Sequence, residues 1–210
     1  MIVKKFMKHF YLRKIRQVLI IPIITSLVVG LDYNTLLNLN EWNIIQDEPV
    51  KVDWIEHDGY PISRAIKILN YDIGSIANII KDIEKYPFIF KRVTESKKLD
   101  SNIVHIKLDM PFPFASRDYV IQYNTIKGHE HWAFSFKAIH HPDGVLEPGV
   151  VRLSRAQGLW RLESVSDYKT LVTYVWNGEL LGNFPKYGLT RAWKTQGTEV
   201  FNWLNEALYQ

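Results

Sequence analysis

Residues 110–120, Met-Pro-Phe-Pro-Phe-Ala-Ser-Arg-Asp-Tyr-Val, constrain the fold more than any other stretch of the chain. Neither proline can donate a ladder hydrogen bond, so the Pro-x-Pro unit cannot sit inside a central strand and marks a corner. The residues after it alternate: Tyr119, Ile121 and Tyr123 fall on one face of a strand, and Asp118, Gln122 and Asn124 on the other. A strand that begins at such a corner and has one apolar, aromatic face belongs to a sheet covering a core on that side. Arg117 and Asp118 open the strand and point to opposite faces, so they do not simply pair with each other. Each needs its own partner, because a buried charge left alone is strongly destabilising. Both are read as structural charges.

The elements around this strand follow from pattern. Leu36, Leu37, Leu39, Trp42, Ile44 and Ile45 suit a short helix, weakened by four asparagines between residues 34 and 43. Val50, Val52, Trp54 and Ile55 mark a strand, Asp58-Gly59 a hairpin turn, and Ile62 to Leu69 its partner. Asp72 caps a helix whose apolar residues Ile73, Ile76, Ala77, Ile79, Ile80 and Ile83 recur at helical spacing, and Pro87 ends it. Antiparallel strands are expected over 92–99, 103–110, 117–126, 132–139, 150–165 and 170–179, with turns at Asp100-Ser101, Lys127-Gly128 and Asp143-Gly144. Residues 188–209 carry Leu189, Trp193, Val200, Phe201, Leu204 and Leu208 at helical spacing. Two strands, a helix, a long meander and a terminal amphipathic helix make an α+β fold.

Composition limits the function. A chain of 210 residues with 47% hydrophobic and 13% aromatic content can bury one substantial core, which disfavours disorder. The absence of cysteine removes disulfides, thiol catalysis and thiolate metal sites. The net charge of +4 is unevenly placed: Lys4, Lys5, Lys8, Arg13, Lys14 and Arg16 precede the first acid, Asp32. The other 20 basic residues face 22 acids, so the body carries −2 and has no basic stripe for a nucleic acid.

The basic start runs into fourteen charge-free apolar residues, Val18 to Leu31. A bilayer-spanning helix needs roughly 17–25 such residues, so this run is short and suits the apolar region of a secretory signal. Residues 1–31 are expected to be a signal peptide, or a short retained membrane anchor, and 32–210 the folded domain. The expected location is periplasmic or secreted; with a retained anchor, it is beside a membrane surface.

The Pro-x-x-x-Arg-Asp-aromatic-Val pattern resembles the start of a central strand in the steroidogenic acute regulatory protein-related lipid transfer (START) domains, a family of the helix-grip, polyketide cyclase-like superfamily. Gly149-Val-Val-Arg152 followed by Gly158-x-Trp160 is similar to the family's Gly-Val-(Ile/Val)-Arg strand and its continuation. Thr170-x-Val-Thr-Tyr174, Glu179-x-x-Gly182 and Pro185 resemble the family's Thr-x-x-Thr-aromatic strand, its acidic-x-x-Gly loop and the proline that opens its last helix. The resemblance extends over roughly residues 42–208. It implies a helix-grip fold, in which a curved antiparallel sheet wraps around the long C-terminal helix. Some family members place an acid thirteen residues before this arginine and a second arginine six residues after it inside the cavity. Val104 and Tyr123 stand at those places here, which implies a more apolar cavity with a phenol in place of a guanidinium.

If the aromatic faces converge on the concave side, the ligand-binding candidates are Tyr119, Ile121, Tyr123, Trp132, Phe134, Phe136, Trp160, Val172, Tyr174 and Trp176, with Trp193 from the last helix. Such a lining suits a lipid or other bulky apolar molecule with one polar end. The Glu179–Pro185 loop, with Gly178 just before it and Gly182 within it, suits a hinge for ligand entry. The sequence carries no Gly-x-Ser-x-Gly elbow, Gly-rich phosphate loop or His-Glu-x-x-His motif. His129, His131, His140 and His141 lack a carboxylate at ligand spacing, so neither a metal nor another cofactor is expected. Non-catalytic binding or transfer is the main expectation. The alternatives are a cyclase-, aromatase- or hydrolase-type enzyme on the same fold and a scaffold whose aromatics only fill a core.

Overall fold

Strand pairing in the computed structural model, which describes residues 33–209, is set by alternating apolar positions and tight turns. Residues 1–31, on which the expectation of an export signal or anchor rests, lie outside the described residues. In chain order the elements are α1 (Tyr33–Asn38), β1 (Asn43–Gln46), β2 (Lys51–His57), β3 (Tyr60–Leu69), α2 (Ile73–Lys81) and α3 (Tyr86–Ile89). They continue with β4 (Val93–Asp100), β5 (Ile103–Leu108), β6 (Arg117–Lys127), β7 (His131–Ala138), β8 (Val151–Arg152), β9 (Gln157–Ser166), β10 (Lys169–Asn177) and α4 (Leu189–Tyr209). The sheet runs β1-β2-β3-β10-β9-β7-β6-β5-β4, with β8 lying parallel beside β6. The chain therefore leaves β3 near one edge, crosses through α2 and α3, and re-enters at the opposite edge as β4.

Register explains how the sheet forms a lined trough. Trp54, Ser63, Trp176, Gly158, Phe136 and Tyr123 are successive cross-strand partners and form one row on the inner face. Val52, Ala65, Tyr174, Trp160 and Phe134 form the next row. The helix α4 lies over both rows, and Phe201 and Leu204 are fully buried beneath it. At Gly197 a Cβ would stand 3.0 Å from both Ala65 Cβ and Val52 Cγ2, so the absence of a side chain sets how closely α4 approaches β2 and β3.

Gly158 has an equally specific reason. A Cβ there would stand 2.1 Å from the Val175 carbonyl oxygen on β10 and 2.7 Å from Phe136 Cζ on β7. The nearer obstacle is backbone and cannot rotate away, so Gly158→Ala is expected to cost about 3 kcal/mol through strand displacement. Urea unfolding checks this, and a loss under about 0.5 kcal/mol would overturn the steric reading.

Three local expectations are corrected. The helix expected over Leu36 to Ile45 stops at Asn38, and Asn43–Gln46 instead pairs with β2 as an edge strand. Pro87 does not end a helix begun at Asp72: α2 ends at Lys81, and Pro87 opens α3, where its missing N–H has no helical partner to lose. The single strand expected over 150–165 is two strands. Val151–Arg152 pairs parallel with the start of β6, and a turn at Leu153–Ala156 precedes β9, which pairs with β7.

Candidate functional site

The start of β6 sends its two charges to opposite sides of the sheet. On the outer face Asp118 is buried beneath the connection between β7 and β8. It accepts from Arg152 Nε at 2.8 Å and Nη2 at 2.6 Å, and from His105 Nε2 at 2.7 Å. Arg152 also donates to the Gly144 carbonyl, and Gly144 packs on Val120. On the inner face Arg117 donates to the carbonyls of Leu180 and Leu181 at 3.0 and 3.1 Å, and also to that of Ala115. Burial, with no acid beside it among the described residues, pulls the guanidinium below its usual value. The link holds the β10–α4 loop where Leu181 and Gly182 take positive φ, 49° and 58°. That conformation suits Gly182 and is costly for Leu181.

The face of α4 carrying Trp193, Gly197, Phe201 and Leu204 is seated on the β2, β3 and β10 side. Its adjacent face, Ala192, Gln196, Glu199, Val200 and Trp203, lines a cavity. Between that face, α2, α3 and strands β4 to β7, β9 and β10 lies a cavity of about 800 Å³. Phe112 and Tyr187 line it while being 97% and 91% exposed, so they mark its mouth. Phe114 and Phe184, with ring centroids 4.6 Å apart, bring the β5–β6 and β10–α4 loops together beside it. Arg92 clasps Glu199 through two hydrogen bonds of 2.6 and 2.8 Å, tying the start of β4 to α4 along the cavity wall. Glu199 raises the Arg92 pKa in turn.

Seven of the residues selected from sequence line this cavity: Tyr119, Ile121, Tyr123, Phe134, Phe136, Trp160 and Tyr174. Trp132, Val172, Trp176 and Trp193 do not. Trp132 stacks on Phe134 at 5.8 Å under Lys127, and Val172 is fully buried in the core. Trp176 stacks on Tyr174 at 4.8 Å. Trp193 packs on Trp54 and donates to the Gly178 carbonyl at 2.7 Å. Alternation gave the right face of each strand but not how far along the trough α4 fills it. The Tyr123 ring lines the cavity, but its hydroxyl donates to the Ser101 carbonyl at 3.1 Å, so the phenol expected in the ligand space is engaged at the β4–β5 turn.

Sequence reasoning missed the cavity-facing residues of α2, α3 and α4. Tyr86 donates to the Ile80 carbonyl at 2.8 Å, and Gln196 hydrogen-bonds Tyr174. Desolvation raises the pKa of Tyr86, Tyr119 and Tyr174, holding all three phenols neutral across the physiological range. The Gln196 signal was available in principle, as a polar residue one position from the buried stripe of α4. Among the described residues no three His, Asp or Glu side chains stand close enough to share a metal ion, and no helix is long and apolar enough to cross a membrane.

A curved antiparallel sheet gripping a long C-terminal helix around a lined cavity defines the helix-grip class. The family model of the START domain matches residues 46–209, and the chain belongs to that family. It is similar to an uncharacterized protein of Pseudomonas aeruginosa, 24% identical over 179 residues that cover 82% of this chain and 88% of the relative. The fold is shared with a STAR-related lipid transfer protein of Xanthomonas axonopodis: 22% identity, TM-score 0.69, 81% of this chain and 100% of that one. Human StAR-related lipid transfer protein 5 also shares it, at 16% identity and TM-score 0.70, over 80% of this chain and 86% of that one.

Proposed function

We propose that the protein binds a lipid or other bulky apolar molecule in this cavity, non-covalently and without turnover. The observation that carries the reading is a space of about 800 Å³ lined mainly by aromatic and aliphatic side chains. Drug-sized ligands occupy roughly 300–1,000 Å³ in such sites. Two similar folds bear lipid-transfer names, which supports the same class of cargo. The neutral phenols are suited to hydrogen bonding and poorly suited to act as bases, which favours carriage over chemistry. Exposed Phe112 and Tyr187 at the mouth support uptake from an apolar surface such as a membrane.

Native mass spectrometry after mild purification tests the reading. A co-purified apolar molecule, released unaltered on activation, is the expected result. A ligand chemically changed on incubation would instead establish the enzyme alternative, and failure of any apolar probe to bind would overturn the binding reading. The basic residues and apolar run of residues 1–31 further support export. N-terminal sequencing of protein from its native host tests this, and an intact Met1 on soluble cytoplasmic protein overturns it.

A further inference from the structure

The Tyr119 hydroxyl has no hydrogen-bond partner among the described residues, yet its side chain lines the cavity. It shares the cavity lining with Tyr86 and Tyr174. Those two hydroxyls are already placed, Tyr86 by donation to the Ile80 carbonyl and Tyr174 by Gln196. Stacking of Trp160 on Tyr174, with centroids 4.2 Å apart, holds that ring in the wall. The result is one free phenol in the same mainly apolar lining as two engaged ones. A hydroxyl without a protein partner on a cavity wall can take a hydrogen bond from a ligand oxygen.

The charged groups around the cavity do not compete for that oxygen. Arg117 is committed to three carbonyls, Arg92 is committed to Glu199, and Arg191 is exposed at the solvent end. A carboxylate or phosphate carried to the phenols would be desolvated beside cations whose N–H groups are already engaged, Arg117 by carbonyls and Arg92 by Glu199. An uncharged hydroxyl or carbonyl would face no such cost.

We infer that Tyr119, with Tyr86 and Tyr174 beside it, forms a neutral hydrogen-bonding subsite that takes one uncharged oxygen, a hydroxyl or carbonyl, of an otherwise apolar ligand. The inference rests on the reading that the cavity holds an apolar molecule, and the test separates the two.

Decan-1-ol, decane and decanoate are titrated calorimetrically at pH 7 into the wild-type protein and into Tyr119→Phe. The substitution removes only an oxygen that bonds nothing in the protein, and its thermal melt checks that the fold is kept. Tyr119→Phe is expected to weaken decanol about tenfold and to leave decane within about twofold. Decanol is expected to bind the wild type more tightly than decanoate. Should Tyr119→Phe fail to fold, Tyr174→Phe provides the second variant, with a smaller selective loss expected for decanol. Equal effects on decanol and decane, or none on either, would overturn the subsite and leave the apolar cavity standing. Tighter binding of decanoate would overturn it in favour of a cationic reader. If no probe binds, the cavity reading itself falls, and the subsite with it.

Discussion

Replacing Asp118 with alanine is expected to destabilise the fold by about 3–5 kcal/mol, because it leaves Arg152 and His105 facing a site with no carboxylate. The melting temperature should fall by roughly 10 °C for a domain of this size. Burial pushes the Asp118 carboxyl up, but hydrogen bonds from Arg152 and His105 outweigh it and hold the group below the usual carboxylate value. A depressed folded-state pKa contributes stability that is fully present above the unfolded value, about 3.9, and is lost as pH falls through the lower folded value. The gap between wild type and Asp118→Ala should therefore be constant near neutrality and narrow below about pH 4. Urea midpoints at pH 7 and pH 3 measure it. A gap under about 1 kcal/mol, or one that does not change with pH, would show that the three groups do not act as a buried network around the carboxylate.

Phe201→Ala should cost a comparable amount, about 3–5 kcal/mol, for a different reason. The ring is fully buried where α4 meets the sheet and lies 6.3 Å from the Trp160 ring, so truncation leaves a void that rigid strands on one side cannot close. Phe201→Leu should cost under about 2 kcal/mol, since most of the volume stays. Val200→Ala, one residue away on the cavity flank, removes two methyl groups from a half-buried side chain and should cost about 1 kcal/mol or less. Chemical denaturation of the three variants gives the ranking. A Val200 effect as large as that of Phe201 would mean that the helix is gripped evenly around its circumference.

Much of the architecture was legible because two periodicities are strong. The alternation around Tyr119, Ile121 and Tyr123, the Asp58-Gly59 turn and the spacing of Trp193, Phe201 and Leu204 are local signals, and the structure follows each. The failures have physical causes. Val150 to Val165 reads as one strand by composition, but its first residues pair with β6 and not β7, a choice made by distant partners that no local pattern encodes. Curvature was legible only through family resemblance. The cavity was half visible: sheet residues alternate and declare their face, whereas Tyr86, Gln196 and Glu199 lie on helices whose docking angle decides what they meet. The partners of Asp118 also came from far along the chain, one on β5 and one on β8.

The helix α4 is seated on the sheet along one flank and lines the cavity along the flank beside it. A chain built this way separates two demands that most cores impose on the same residues. Changes at Ala192, Gln196, Val200 or Trp203 alter the shape and chemistry of the ligand space while the seat at Trp193, Gly197, Phe201 and Leu204 stays intact. The shape of the cavity is therefore set by one flank of the last helix and the strands facing it, and the hold of the helix on the sheet by the other.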